Sequence, residues 1–212
     1  MMAVAVSGGV DSMMAAHLLR QETPELFAVH FLTGFEPPAA GPRHPIQAIG
    51  DQLGIPVHVV DLSAEFRTQV VDYFTAAYSS GQTPNPCVIC NPAIKFGAVL
   101  RFAQTRGARC LATGHYAAVR RGPDGRYRLH KGADPLKDQS YFLARLDQGQ
   151  LERARFPLGS LTKREVRELA ARNGLQPVET AESQDVCFVR RGGDAAVVRA
   201  PGEPGPIETV EG

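Results

Sequence analysis

Six residues near the start, Ser7-Gly8-Gly9-Val10-Asp11-Ser12, constrain this chain more than any other stretch. They follow the apolar run Met2-Ala3-Val4-Ala5-Val6 and precede Met13-Met14-Ala15-Ala16-His17-Leu18-Leu19, which reads as a helix. Strand, tight glycine turn and helix N-terminus together present bare N–H groups and the positive end of a helix dipole to an anion. Gly8 and Gly9 permit torsions and a close approach that a Cβ would obstruct. Ser7 and Ser12 offer hydroxyls to phosphate oxygens, and Asp11 can cap the helix or reach a phosphate-bound Mg²⁺. The plainer alternative is an ordinary glycine turn. No Gly-Lys-Ser/Thr sequence follows, which separates the string from a Walker A loop.

Further along, Leu26–Leu32, Ile55–Val60 and Arg109–Thr113 read as buried parallel strands. Between them, Ile46–Leu53 (closing at Gly54), Ser63 to about Tyr78, and Ile94–Arg106 read as helices. In the second of these, Phe66, Val70, Phe74 and Tyr78 recur every four residues and mark a core face. Alternating strands and helices predict an α/β fold with a doubly wound parallel sheet. Ligands bind such sheets beyond the carboxyl ends of the strands, where Ser7–Ser12 and Thr113–Tyr116 both lie. The stretches Gly34–Pro45 and Ser79–Pro92 read as loops, which leaves Cys87 and Cys90 in polar surroundings with no packing reason to be cysteines. Pro123-Asp124-Gly125 predicts a hairpin turn, Thr162 with Glu165 a capping box, and Asn173-Gly174 a helix stop. The expected organisation is a nucleotide-binding domain over 1–133, a small helical and mixed appendage over 134–191, and an extended or disordered tail over 192–212.

Composition narrows the class. With 43% hydrophobic and 21% charged residues, the 212-residue chain reads as soluble and globular. No segment approaches membrane-spanning length and no targeting peptide precedes the first strand, so a cytoplasmic chain without a membrane partner is expected. A net charge of +1 excludes a global pull toward nucleic acid, so any RNA contact must rest on local cations such as Lys137, Arg120 and Arg121. Four cysteines in such a chain point to catalysis or metal rather than to disulfides. Cys110, inside an apolar run, reads as a small buried hydrophobe, while His115 is balanced between strand-end packing and a site.

The string Ser7–Ser12 resembles the PP-loop of ATP pyrophosphatases, of the adenine nucleotide alpha hydrolase-like fold. Five later strings extend the likeness: Gly81–Asn91, Ile94–Gly97, Ala112–Ala117, Lys137–Leu143 and Ser183–Phe188. In this order they resemble the tRNA-specific 2-thiouridylase family. The resemblance implies ATP- and Mg²⁺-dependent replacement of the C2 oxygen of a wobble uridine by sulfur, through an adenylated base. It places the nucleotide on Ala5, Val6, Ser7, Gly8, Gly9, Val10, Asp11 and Ser12, with Phe31 and Gly114. It places the target base at Asn85, Pro86 and Cys87, and tRNA at Lys137, Asp138 and Gln139. Cys187 corresponds to the persulfide-bearing cysteine and Cys90 to the partner that releases the sulfur, with a persulfide carrier, a cysteine desulfurase or free sulfide as donor. Many members carry aspartate where this chain has Cys87, and members continue beyond 204–207 into further β-rich domains.

That departure makes three thiols. If Cys87, Cys90 and Cys187 converge, a [4Fe–4S] cluster with one open iron, or zinc, could replace persulfide chemistry. Two other functions stay open: sulfur or amine transfer to an acceptor other than tRNA, and a metal-binding redox module with residual nucleotide affinity.

Overall fold

The computed structural model describes residues 1–36, 44–178 and 186–188. The expected tail, and the Ser183–Asp185 part of the last string, lie outside the described residues.

Short apolar segments can pair in parallel only where both of their faces are covered, and the chain is built to cover them. Strand β1 (Met2–Ala5) leads through the loop to helix α1 (Val10–Glu22). Strand β2 (Leu26–Leu32), helix α2 (Gln47–Leu53) and strand β3 (Val57–Asp61) follow. Helix α3 covers 63–79 and α4 covers Pro86–Gln104; each contains an inner π-wound stretch, Arg67–Val71 and Asn91–Val99. Next come β4 (Leu111–Ala112) and a hairpin of β5 (Ala117–Arg121) and β6 (Tyr127–Lys131). A 3₁₀ turn (Ser140–Leu143), α5 (Gln148–Arg153), β7 (Ala154–Arg155) and α6 (Lys163–Arg172) complete the described chain.

The sheet order is β3-β2-β1-β4-β7, all parallel, as expected for a doubly wound fold. Alternation divides the core in two. Ala3, Ala5, Phe27 and Val29 pack with Phe66, Val70, Phe74, Ile94 and Val99 of α3 and α4. Val4, Val6 and Ala28 pack with Met13 and Ala16 of α1 and Ile49 of α2. Tyr78 does not continue the α3 stripe and is 42% exposed, because a four-residue spacing drifts by about 40° per repeat around an α-helix and carries the last member off the core face. Ser63 does not cap α3; Leu62 takes that position, and Ser63 donates to the Asp61 carboxylate.

Three further readings change. Helix α4 starts at Pro86, not Ile94, so Cys87 and Cys90 belong to its first turns rather than to a loop. That helix is long and apolar enough to cross a membrane by length and composition, contrary to the sequence expectation, yet Ile94, Phe96, Val99 and Leu100 are buried in the core. Cys110 is half-buried just before a two-residue strand, not inside a long one. Strand β7, which the sequence does not announce, joins the main sheet from the 134–191 segment.

The tight seat of α2 on β3 is directly testable. Alanine favours a helix interior over glycine by about 1 kcal/mol. At Gly50, however, a Cβ would stand 2.5 Å from Val57 Cγ2 and 2.7 Å from the Ile55 carbonyl oxygen. Overpacking therefore wins, and Gly50→Ala should destabilise the fold by about 1–3 kcal/mol in urea unfolding.

Candidate active site

Strand β1 delivers the chain to the loop at the carboxyl edge of the sheet, where the loop closes on itself. The Ser7 N–H donates to Ser12 Oγ (3.1 Å), Ser12 Oγ donates to the Gly9 carbonyl (3.0 Å), and the two hydroxyl oxygens lie 3.2 Å apart. Gly8 has φ of 104°, a region that side chains rarely adopt. Gly9 is the N-cap of α1 and no side chain caps the helix, so its first N–H groups remain available to an anion. Gly114 lies directly on this loop: a Cβ there would stand 2.8 Å from Ser12 N and 2.9 Å from the Asp11 carbonyl carbon. The loop and the end of β4 thus form one surface, as the strand order requires.

Asp11 neither caps the helix nor stands free to receive a metal ion. Lys163 Nζ lies 2.8 Å and 2.7 Å from its two carboxylate oxygens, and Tyr116 Oη donates to Oδ1 at 2.7 Å. Lys163 is only 7% exposed. It is the first residue of α6, placed there by the Thr162–Glu165 capping box that the sequence announces. Its backbone N–H donates to Asp134 (2.8 Å), the leading cause of the depressed pKa of that carboxyl. Sequence reasoning found the box but not the lysine, since nothing local marks a partner 152 residues away.

Helix α4 positions the first two thiols. The Asn85 side chain accepts from the Cys87 N–H (3.1 Å) and Pro86 occupies the first turn, a cap-and-proline start. Pro92 then sits inside the helix, where it has no N–H to give and its ring crowds the preceding turn. The backbone widens to i→i+5 winding over Asn91–Val99. Gly97 is needed there, since a Cβ would lie 2.8 Å from the Pro92 carbonyl oxygen, which instead accepts from Gln150 Nε2 (2.8 Å). Buried Asn91 donates from Nδ2 to the Phe142 carbonyl (2.9 Å), while its Oδ1 has no partner among the described residues.

This winding has a consequence for charge. Residues five apart lie about 140° apart around an α-helix but come much nearer in i→i+5 winding, which turns Lys95 toward the side of Cys90. Burial pushes the Cys90 thiol up to about 12; Lys95 opposes the shift, while neighbouring Cys187 and Cys87 add to it. Burial also raises the Cys187 thiol, although part of that residue reaches the surface, and Cys87 and Lys95 act on it too. Lys95 Nζ meets His115 Nε2 at 3.4 Å, and His115 Nδ1 meets Thr113 Oγ1 at 2.7 Å. Burial, then Lys95, hold His115 well below its usual pKa, so the ring is neutral. Lysine can only donate, which assigns the ring proton to Nδ1. His115 is therefore both packed and part of the site.

Phe188 holds the third thiol in place. It is 2% exposed and its ring centroid lies 5.7, 5.6 and 5.2 Å from those of Phe35, Phe66 and Phe74. The three thiols thus share one electrostatic neighbourhood. Even so, among the described residues no three His, Cys, Asp or Glu side chains are arranged to hold a metal ion.

The remaining residues are placed as follows. Phe31 is half-buried against the core, and the Val6 carbonyl accepts from Nδ1 of buried His30 (2.8 Å), whose Nε2 has no partner among the described residues. Asp138 accepts from Gly132 N–H (3.0 Å) and from Ser140, and Gln139 Oε1 accepts from Tyr116 N–H (3.0 Å). These two side chains therefore shape the loop that carries half-buried Lys137.

A doubly wound sheet with a serine–glycine loop at α1 and the glycine just past β4 against it defines an α/β protein of the PP-loop class. The chain belongs to the family described as tRNA methyl transferase HUP domain, whose model matches residues 1–191. It is 53% identical over 217 residues to the tRNA-specific 2-thiouridylase MnmA of Desulfosudis oleivorans, covering 100% of this chain and 60% of that protein. It is 46% identical over 199 residues to the protein of the same name from Geobacter metallireducens, covering 88% and 54%. The chain thus spans somewhat over half the length of these relatives. Among solved structures, the U34-tRNA thiolase NcsA from Methanococcus maripaludis with its [4Fe-4S] cluster superposes with a TM-score of 0.55 at 18% identity, over 93% of this chain and 64% of that one. That likeness is one of fold.

Two measurements check the geometry. Lys163→Met leaves the Asp11 carboxylate without its cation; with Asp11 one-third exposed, the loss should be about 1–3 kcal/mol, below that of a fully buried pair. Combining it with Asp11→Asn should restore part of this loss in a double-mutant cycle. Second, alkylation of Cys90, followed on its peptide by mass spectrometry, should rise about tenfold per pH unit from 8 to beyond 10 instead of levelling near 9. Lys95→Met should slow it further at each pH.

Proposed function

We propose that this chain carries out ATP-dependent 2-thiolation of a uridine in tRNA. The observation that carries this reading is one continuous neighbourhood: Ser12 against Gly114, His115 beside it, and Lys95 meeting His115 while its charge acts on the thiols of Cys90 and Cys187. A phosphate cradle and sulfur chemistry share a single surface.

The cradle suits ATP. Uncapped N–H groups of α1, the hydroxyls of Ser7 and Ser12, and the space left by Gly114 match a phosphate chain. Because Lys163 holds Asp11, Mg²⁺ fits here as an ion carried by the phosphates, where it would offset their charge. The C2 oxygen of uracil attacks the α-phosphorus, the bond to the β-phosphate oxygen breaks, and the loop N–H groups receive the departing pyrophosphate. AMP is then the leaving group at C2.

A persulfide on Cys187, loaded by a persulfide carrier, a cysteine desulfurase or sulfide with an oxidant, attacks C2 through its outer sulfur and expels AMP. Cys90 attacks the inner sulfur, giving a Cys90–Cys187 disulfide and freeing 2-thiouridine; a thiol reductant then returns both cysteines. Burial holds the Cys90 thiol up at about 12 even with Lys95 opposing it, so the release step is held back at neutral pH and Lys95 only lessens that barrier. Asn85 and Pro86, at the start of α4, place the base beside Cys87, and the chemistry belongs in the cytoplasm with tRNA. Three cysteines are the right donors for an iron–sulfur cluster, but their arrangement among the described residues does not fit one.

The test is nucleoside mass spectrometry of tRNA incubated with the chain, ATP, Mg²⁺ and a persulfide source. We expect 2-thiouridine with equal AMP, and a loss of at least about 100-fold for Cys187→Ser and Cys90→Ser with nucleotide binding unchanged. Thiolation that survives either substitution overturns the assignment. Consumption of ATP with sulfur on a different acceptor would favour the non-tRNA reading.

A further inference from the structure

The β5–β6 hairpin has two unlike faces. In its register Ala117, Val119 and Arg121 stand opposite Lys131, Leu129 and Tyr127, while Ala118 and Arg120 stand opposite His130 and Arg128. Val119, Leu129 and Tyr127 pack against the core, and Gln148 clamps Tyr127 through both its N–H and its carbonyl (2.9 Å each). The first face is therefore fixed inward. It takes Arg121 with it, whose guanidinium lies 6.0 Å from the Tyr127 ring centroid and whose Nε donates to the Gly125 carbonyl. Arg121, a candidate RNA contact by sequence, thus belongs to the other face from Arg120.

The second face looks outward and is cationic. Arg120 and Arg128 are exposed and directly opposite, and alternation places Arg126, paired with Gly122, next in the same row. Like charges directly opposite across a ladder work against the hairpin. Only Asp124 offsets them, bound to Arg128 at 2.9 Å; among the described residues Arg120 and Arg126 have no ion-pair partner. A chain of net charge +1 has here gathered three arginines at a cost to its own hairpin.

We propose that this outer face, Arg120, Arg126 and Arg128, is a docking surface for the phosphate backbone of RNA. Charge complementarity selects the partner. Cations on alternate residues lie about 7 Å apart along a strand, and this row offers no large apolar side chain. A protein partner needs a buried aromatic or aliphatic anchor, whereas a polyphosphate needs only spaced cations. The hairpin also springs from the site: its base residues Tyr116 and Gly132 bond Gln139 and Asp138, so an RNA seated there runs about 17 Å outward from the nucleotide loop. The choice of RNA as the polyanion rests on the tRNA reading above.

The experiment is a titration of the full chain with an unmodified tRNA transcript from 50 to 200 mM salt, without ATP. Arg120→Gln/Arg126→Gln should weaken binding about tenfold and lower the salt slope by about 1.5. The Lys/Lys pair should restore most of both, and Arg164→Gln, on α6, should change neither. Unchanged nucleotide binding shows that the variants fold. Wild-type affinity and slope in the Gln/Gln variant overturn the proposal, as does loss of binding to an acidic polypeptide but not to tRNA. The two readings separate cleanly. Normal thiolation with unmoved affinity sinks this surface alone, while hairpin-dependent binding without any 2-thiouridine sinks thiolation alone.

Discussion

The Lys163–Asp11 ion pair is the contact on which the site's architecture depends. Asp11 belongs to the Ser7–Ser12 loop, Lys163 to α6 and Tyr116 to the base of the hairpin, so one carboxylate fixes three parts of the chain. Removing water from two charges is costly, and only close geometry with extra hydrogen bonds repays it. Both conditions are met: two short contacts from Nζ, plus the Tyr116 hydroxyl. The α6 helix buries Val166 and Ala170 beside Met14 and Ala15 of α1, which keeps the pair registered. A neutral substitute could pack there, but it would not orient a loop whose other bonds are weak internal ones.

The second organising constraint is winding rather than charge. Had α4 remained α-helical through Pro92, Lys95 would face away from Cys90. The wider turn brings it round, and the backbone carbonyl that this leaves exposed is taken up by Gln150 of α5. Wide turns are rare and concentrate at functional sites because they are costly to maintain. Here the result is a cation that lessens, without cancelling, the upward push of burial on the thiols, and that reinforces the neutrality of a histidine.

Much of this was legible in the residues, for reasons that differ by element. Strand Leu26–Leu32 has the predicted ends because a continuous apolar run between polar flanks has no competing reading. Gly54, in the left-handed conformation, and the Thr162–Glu165 box are local signals that act locally. The start of α4 was misread because Asn, Pro and Gly signal loops and helix beginnings alike. Strand β7 is two residues long and exists only because β4 offers an edge, and the Lys163 contact spans most of the chain. Asp138 and Gln139, which the resemblance places against tRNA, also bond the base of the hairpin, a role that no local signal in the sequence announces.

Phe188 deserves a last consideration as a matter of reach. With its ring enclosed by Phe35, Phe66 and Phe74, the residue beside Cys187 is anchored. A thiol one residue from a fixed point explores a volume only a few ångströms across. In the proposed reaction its encounter with Cys90 is then governed by an effective molarity rather than by diffusion, and most of the ordering entropy is met when the chain folds. A buried aromatic side chain in this way sets how often two sulfurs would collide in that reaction.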